Sequence, residues 1–333
     1  MIYDVHAHCI PPAFREWIER SGHRVGASIV QAERGPCARF GTTTTAPMNP
    51  LLSDLDRRIS EMDRMGVDVQ LMAGWIDLTA YDLDPAAGVE YSRVHNDLLA
   101  AEAASRPDRL IPMVTAPLQA PDAAAEELRR GMSELGAAGV QIATTVGDKW
   151  LDQAPLDPFW QAAEELGALV ILHPMRPLDG VDLGRYFLDN MVGRPAETTI
   201  ALAGLIFSGV FERYPNLRLC AVHGGGFVPF QIGRLEQGYR AKPGVAGRHL
   251  SASPRDSFGR VYVDTVVHDP AVVRFLIETQ GVDRVLLGTD YPFEMGESDP
   301  RRLLVELPDD ARSAVETHNP ERLLGRNGQG SVD

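Results

Sequence analysis

Five side chains in the sequence could bind a divalent cation or move a proton, and each follows a short apolar run. His6 and His8 stand in DVHAH, His173 in VILHP, His223 in CAVHGGG and Asp290 in LLGTDYP. Imidazole nitrogens combined with a carboxylate suit zinc, and also iron, manganese or cobalt. Three histidines and one aspartate around a cation leave room for a water, as catalytic metal sites do. These residues predict a catalytic metal site, provided that the fold brings them together.

The elements that would position them are eight apolar or β-branched runs alternating with helical segments. This alternation predicts βαβ units and a parallel sheet. Runs such as ALVIL and RVLL are almost continuously apolar, which is typical of parallel strands buried on both faces. Eight units favour an α/β fold closed into a (β/α)8 TIM barrel, with a doubly wound open sheet as the alternative. The predicted strands are residues 2–5, 67–72, 110–114, 140–143, 168–172, 217–222, 260–264 and 284–287.

All five candidate residues lie at predicted carboxyl ends of strands. In a parallel barrel these ends open onto one face, where active sites are built. Side chains alternate along a strand, so His6 and His8 point the same way and can reach one metal ion. An isolated HxH is a weak signal, and a lone His173 or His223 is more often a structural histidine. The prediction therefore depends on the coincidence of all five positions.

The other histidines and the glycine-rich motif carry less chemistry. We expect four histidines to lie on the surface, in loops or helices: His23, His95, His249 and His318. His268 follows the seventh predicted strand by four residues and is an ambiguous candidate for the pocket. The HGGG at residues 223–226 resembles an esterase oxyanion loop, but the chain contains no GxSxG nucleophile motif. Its glycines are better explained by close passage of the backbone beside a metal or substrate.

Length and composition favour a single catalytic domain over residues 1–333. Residues 9–50, which contain a GTTTTAP run, are predicted to be an insertion or lid after the first strand, and residues 326–333 a flexible tail. The net charge of −14 argues against nucleic acid or an anionic membrane as partner. The sequence contains three cysteines without a CxxC pair. It also contains no basic leader and no apolar run of roughly 18 residues, and together these features predict a cytoplasmic protein.

Longer strings in the sequence resemble one known family over nearly the whole chain. DVHAH, LHP, HGGG and LLGTDYPF occur in the order typical of the amidohydrolase superfamily. EMDRMGVDVQ, PAET and SGVFERYP resemble its branch of 2-amino-3-carboxymuconate-6-semialdehyde decarboxylases. The resemblance implies that His6, His8, His173 and Asp290 bind one divalent metal ion.

The resemblance also implies roles for two further residues, and the sequence departs from the family in two places. His223 would be a base acting on water at the metal, and Arg234 would bind a substrate carboxylate, reaching into the neighbouring subunit of a homodimer. The family's additional arginine before EMD is missing from TTTTAPMNPLLSD, and Arg39 lies too far upstream to align simply. The family's HPW is HPM here, followed by Arg176, a candidate for a replacement carboxylate contact. GVQIATT lacks the lysine that bridges two metals in binuclear relatives, which favours one metal.

We therefore predict a metal-dependent, non-oxidative decarboxylase of a small unsaturated or aromatic carboxylic acid. Zn2+ is the expected cofactor, with Mn2+, Fe2+ and Co2+ as alternatives for the same donor set. The runner-up function is a hydrolase or hydratase acting on an ester, lactone, amide, C–C bond or enone, because these reactions begin with the same activated water. A non-enzymatic metal-binding or scaffold protein is a third interpretation, which does not explain the candidate base.

Overall fold

A computed structural model describes residues 1–176, 178 and 180–325 of the chain. Eight parallel strands pair in the order in which they follow one another in sequence. They are β1 Tyr3–Cys9, β2 Val69–Gly74, β3 Leu110–Thr115, β4 Gly139–Ala143, β5 Leu169–His173, β6 Arg218–Ala221, β7 Tyr262–Asp264 and β8 Val285–Leu286. The predicted tail at residues 326–333 lies outside the described residues.

The sheet closes through main chain that follows β8. The Val5 N–H donates to the Leu287 carbonyl at 2.9 Å, and the His8 N–H donates to the Tyr291 carbonyl at 2.8 Å. Helices surround this ring of strands, so the predicted (β/α)8 barrel is confirmed.

The α-helices connect successive strands and cover the outside of the barrel. Their bounds are Pro12–Ser21, Leu55–Met65, Pro85–Ala104, Pro121–Glu134, Asp157–Leu166, Arg194–Phe207, Val210–Arg213, Val228–Ala241, Pro254–Phe258, Pro270–Gln280, Asp309–Ser313 and Asn319–Leu323. The segment Val222–Gly225 is a turn rather than a regular helix, because His223 and Gly224 have positive φ angles. Short 3-10 and π turns occur at Gly22–Val25, Pro50–Ser53, Ile76–Leu78, Asp189–Gly193, Val282–Arg284, Pro300–Leu304 and Ala314–His318. No helix in the described part of the chain is long and apolar enough to cross a membrane.

The largest shift from the predicted strand boundaries is in β1. It extends to Cys9 rather than ending at residue 5, so both His6 and His8 lie within the strand and not after it.

Two apolar layers hold the barrel together. Val5, Leu71 and Ile171 belong to a buried cluster inside the ring of strands. Alternate residues such as Val140 and Leu172 instead pack outwards against the helices. This alternation follows from the two-residue period of a strand, and both faces are buried because helices cover the outside.

An irregularity in β1 directs the two histidines of DVHAH into the barrel. The pairing register with β2 shifts between Asp4 and Ala7. Val5 contributes to the interior cluster, whereas Ala7 packs with Met62 and Met65 of the helix Leu55–Met65 outside the barrel. His6 and His8 consequently both face the interior. Bulges of this kind commonly re-aim side chains next to active sites.

β1 ends at Cys9, and the chain between it and β2 forms further structure. It contains the helix Pro12–Ser21 and a three-stranded antiparallel sheet, here called the arm, formed by residues 27–32, 35–40 and 43–44. Phe14 and Phe40 each pack edge-on against Tyr91 of the helix Pro85–Ala104, with ring centroids 5.1 and 5.4 Å apart. The insertion is thereby fixed to the outside of the barrel by aromatic contacts.

Candidate metal centre

The five predicted residues lie in or directly after four strands of the barrel, towards their carboxyl ends. His6 and His8 come from β1, and His173 is the last residue of β5. His223 follows β6 and Asp290 follows β8, with φ angles of 55° and 57°. Non-glycine residues with positive φ are uncommon and concentrate at functional sites, where the surrounding structure holds them in place.

The structure brings four of these side chains into one buried cluster. Potential ligand atoms of His6, His8, His173 and Asp290 all lie within 4.8 Å of one another. The Nε2 atoms of His6 and His8 are 3.2 Å apart, and Asp290 Oδ1 lies 3.3 and 3.1 Å from them. Each of the four residues is at most 7% exposed.

The hydrogen bonds of the three Nδ1 atoms show that the Nε2 atoms of the imidazoles are available to a cation. Nδ1 of His6 lies 2.7 Å from Asp264 Oδ2, Nδ1 of His173 lies 2.7 Å from the Pro174 carbonyl, and Nδ1 of His8 lies 3.4 Å from the Gly74 carbonyl. These oxygens only accept hydrogen bonds, so each Nδ1 is assigned the proton and each Nε2 a free lone pair. Metal-binding histidines are oriented in this way.

Two unpartnered atoms support the fit of a divalent cation. His173 Nε2 and Asp290 Oδ1 are buried and have no hydrogen-bond partner. Buried polar atoms are otherwise nearly always hydrogen-bonded, so the presence of these two atoms in one cluster fits a bound cation. Three imidazole nitrogens and a carboxylate oxygen fit such a cation.

Burial and neighbouring charges set the protonation states in the cluster. Burial, reinforced by the other histidines, holds the pKa of His173 well below its usual value, and burial also lowers the pKa of His8. Burial opposes protonation of His6 too, but the carboxylates of Asp290 and Asp264 outweigh it and raise the pKa of His6 to about 10. The neighbouring histidines, chiefly His6, hold the pKa of Asp290 well below its usual range despite burial. The strong negative field that favours a proton on His6 equally favours a metal ion.

His223 lies beside the four-residue cluster rather than within it. Its Nε2 is 3.4 Å from Asp290 Oδ2, the oxygen that does not face His6 and His8. Its ring centroid is 5.3 Å from that of His173, and its side chain is 18% exposed. His223 therefore lies at the edge of the cluster, with a partly exposed ring.

Asp264 contacts the cluster and was not among the residues predicted from the sequence. Besides contacting His6, its other carboxylate oxygen accepts a hydrogen bond from the Gly224 N–H at 2.9 Å. It therefore links a member of the cluster to the turn that carries His223. The available signal was an acidic residue at the carboxyl end of the seventh strand.

The two arginines proposed for the substrate lie in different environments. The Arg176 guanidinium is already engaged, because it donates to Asp82 Oδ1 at 2.5 Å and to the Gly147 carbonyl at 3.1 Å. Arg234 is exposed on the helix Val228–Ala241 and forms no ion pair with any residue that the structure describes.

One histidine was assigned wrongly from the sequence. His95 was expected on the surface, but it is 1% exposed and packs against Phe14, with ring centroids 4.6 Å apart. A Cβ atom at Gly74 would lie 2.5 Å from the His95 ring, so this glycine is required by the close packing. His23, His249 and His318 are exposed as expected. His268, the ambiguous candidate, has a half-exposed side chain 3.8 Å from Glu297.

A barrel with a histidine and aspartate cluster at the carboxyl ends of its strands defines a class of metal-dependent barrel enzymes. The model of the amidohydrolase family matches residues 3–326, and the chain belongs to this family. The chain is similar in sequence to a 2-amino-3-carboxymuconate-6-semialdehyde decarboxylase of Dictyostelium discoideum, which confirms the predicted resemblance. The two sequences are 37% identical over 274 residues, which are 82% of this chain and 75% of the relative.

Solved structures show the same fold. A 5-carboxyvanillate decarboxylase of Sphingomonas paucimobilis is 25% identical and superposes with a TM-score of 0.82, covering 97% of this chain and 98% of that one. The 5-carboxyvanillate decarboxylase of Novosphingobium aromaticivorans, 24% identical with a TM-score of 0.80 over 98% and 97% of the two chains, contains bound manganese.

Proposed function

We propose that this protein is a metal-dependent decarboxylase of a small unsaturated or aromatic carboxylic acid. The observation that carries the proposal is the convergence of three imidazole nitrogens and one carboxylate, with His223 beside them. The similarity to muconate semialdehyde and carboxyvanillate decarboxylases supports the reaction class.

His6, His8, His173 and Asp290 would hold one divalent ion, for which we propose Zn2+. Three imidazoles and a carboxylate suit zinc, while the manganese of the structural relative keeps Mn2+ as the main alternative. When bound, the ion supplies Lewis-acid polarisation to the substrate and positions it.

His223 would move the proton that the reaction requires. In a non-oxidative decarboxylation, the carbon that loses CO2 gains a proton, so one C–H bond replaces one C–C bond and no electrons leave the substrate. Nε2 of His223 is the proposed donor; its long 3.4 Å contact with Asp290 Oδ2 would orient the ring, and the N–H would turn from this oxygen to the carbon that loses CO2. Asp290 would therefore serve both the metal, through Oδ1, and the proton donor, through Oδ2.

Arg234 is the proposed contact of the substrate carboxylate, and it would act across a homodimer. Its helix begins beside the exposed aromatic side chains of Phe227 and Phe230, which are 41% and 78% exposed. Exposed aromatic residues of this size are typical of protein interfaces. Arg176 is the second proposed contact, and a substrate carboxylate there would have to share the guanidinium with Asp82.

The arm is proposed to cover the substrate entrance within a single catalytic domain. Thr43 in the arm donates to Asp82 at 2.7 Å, and Asp82 in turn pairs with Arg176. Asn49, which follows the arm, donates to the Pro292 carbonyl at 3.3 Å, two residues after Asp290. The insertion thus contacts loops at the end of the barrel where the cluster lies.

The reaction is tested by measuring CO2 release from a panel of carboxylated muconate semialdehydes and hydroxybenzoates. We expect the Zn2+-loaded protein to release CO2 from at least one compound, and His173→Ala to lose this activity. If no compound loses CO2 but esters, lactones or enones are turned over, the alternative assignment as a hydrolase or hydratase replaces the decarboxylase.

A further inference from the structure

One arginine is completely buried directly behind the metal cluster. Arg58 belongs to the helix Leu55–Met65 and is 1% exposed, although that helix is otherwise rich in exposed charged residues. Nη1 donates to Gln70 Oε1 at 2.6 Å, and Nη2 donates to the main-chain carbonyl of His8. The guanidinium carbon lies 4.8 Å from the ring centroid of Tyr291. Arg58 therefore contacts the backbone of one proposed ligand and the residue that follows another, Asp290.

The hydrogen bonds continue from Gln70 to a buried carboxylate. Gln70 Nε2 donates to Asp4 Oδ2 at 2.7 Å. The same carboxylate accepts hydrogen bonds from the His6 N–H at 3.0 Å, the Thr289 N–H at 3.0 Å and the Thr289 hydroxyl at 2.6 Å. Asp4, Gln70 and Thr289 are all 0% exposed. Asp4 thus connects the main chain of His6 to the residue that precedes Asp290.

The energetics of this triad, Arg58–Gln70–Asp4, indicate that it does more than fill space. Buried charges are costly unless they are paired and fully hydrogen-bonded, and apolar residues of similar volume are often equally stabilising. Here a cation and an anion are joined by an amide that accepts from one and donates to the other. The side-chain hydrogen bonds and the ring contact that the triad makes outside itself, among the described residues, reach His6 and His8 of β1 and the residues on either side of Asp290.

We propose that the triad fixes the spacing between β1 and the loop after β8, and that Arg58 is a positioning residue for the metal centre. Histidine and aspartate ligands must be held close to their productive geometry by the groups around them. Arg58 and Asp4 meet this need by contacting the main chain of His8 and His6, whose side chains face the barrel interior. This inference rests on the metal site of the proposed function.

A second arginine provides a matched control for a purely structural role. Arg109 also donates to main-chain carbonyls, those of Asp68 at 2.7 Å and Val67 at 3.1 Å. These residues lie at the amino end of β2, at the other end of the barrel from the cluster. Loss of its hydrogen bonds should affect folding stability without moving the proposed ligands.

The test compares Zn2+ affinity and thermal stability among three variants. Zn2+ dissociation constants are measured by competition with a chromophoric chelator for Arg58→Lys, Thr289→Val and Arg109→Lys. Lysine cannot reproduce the two-pronged donation of arginine, and valine removes the hydroxyl that donates to Asp4. We expect Arg58→Lys and Thr289→Val to weaken Zn2+ binding by about 10- to 100-fold. Arg109→Lys should lower Tm and leave the Zn2+ affinity unchanged.

The triad would only stabilise the fold if Arg58→Lys and Thr289→Val bind Zn2+ as tightly as the unmodified protein and lower Tm as Arg109→Lys does. If Arg58→Lys does not fold, Thr289→Val decides alone, because it is close to isosteric. If the unmodified protein binds neither Zn2+ nor Mn2+, the proposed metal site is wrong and the positioning role is wrong with it.

Discussion

Replacing Asp264 by asparagine should weaken metal binding through its effect on His6. Asp264 Oδ2 accepts from His6 Nδ1 at 2.7 Å, and its other oxygen accepts from the Gly224 N–H at 2.9 Å. The carboxylate and the imidazole are fully buried. An asparagine has the same shape but only one acceptor oxygen, so its NH2 must face either His6 Nδ1 or the Gly224 N–H. In the first case His6 must move its proton to Nε2 and lose the lone pair that would bind the metal.

The expected magnitude follows from the geometry of this site. In either orientation of the amide, one buried donor faces another donor, and an unsatisfied buried donor costs about 1–3 kcal/mol. Removing the hydrogen-bond partner of a metal-binding histidine typically weakens metal binding about 10- to 100-fold. That range corresponds to about 1.4–2.8 kcal/mol, so the two estimates agree.

The assay is an equilibrium competition for Zn2+ between the protein and a chelator of known affinity. Asp269→Asn is the control, because Asp269 caps an exposed helix through the Ala271 N–H and asparagine caps equally well. We expect the control to match the unmodified protein and Asp264→Asn to bind at least about tenfold more weakly. A dissociation constant for Asp264→Asn within twofold of the control would refute the claim that the Asp264 carboxylate sets the metal affinity through His6.

Three further predictions concern turnover, substrate binding and metal removal. His223→Ala should reduce turnover by about 10²- to 10⁴-fold while the metal content is retained, and an active variant would show that another group moves the proton. Arg234→Gln should lower kcat/KM for the carboxylate substrate about tenfold or more, whereas Arg240→Gln on the same exposed helix should not. Equal values for these two variants would exclude Arg234 from the site. Chelation should lower Tm by about 5 °C if free Zn2+ was near 100 times its dissociation constant, as measured by calorimetry, and an unchanged Tm would argue against a bound ion.

The sequence predicted the barrel and the residues that converge because both depend on local patterns. Strands buried on both faces are readable as apolar runs, and the barrel topology then places their carboxyl ends together. For this reason, potential ligand atoms lie within 4.8 Å of one another in His6, His8, His173 and Asp290. The register shift in β1 was not predictable, since it depends on how Asp4 and Ala7 pair with the neighbouring strand.

The supporting residues were missed because their roles are set by tertiary contacts. Arg58 stands in LDRRISEMDRM, where charged residues predict an exposed helix surface. Its spacing from the buried Met62 and Met65 places it on the inner face of that helix, which a periodicity reading could have detected. His95 was misjudged in the same way, since the buried Tyr91 and Leu99 lie four residues on either side of it. Arginine and histidine were assigned to the surface because of their residue type, although their spacing from buried residues indicated the inner face of the helix.

The proposed role of Arg176 shows a different limit. Its position three residues after His173 was visible in the sequence, but its partner Asp82 is distant along the chain and reaches it only through the loop that follows β2. Sequence spacing therefore located the arginine without showing that another side chain already occupies its guanidinium.

The most direct test of the central claim is decarboxylation in D2O of a substrate whose carboxyl carbon is labelled with ¹³C. For the metal-loaded protein, we predict release of ¹³CO2 together with one deuterium on the carbon that lost it, and neither change in the His173→Ala variant or after chelation. Equal ¹³CO2 release by the metal-loaded protein and by the His173→Ala variant would contradict a metal-dependent decarboxylase.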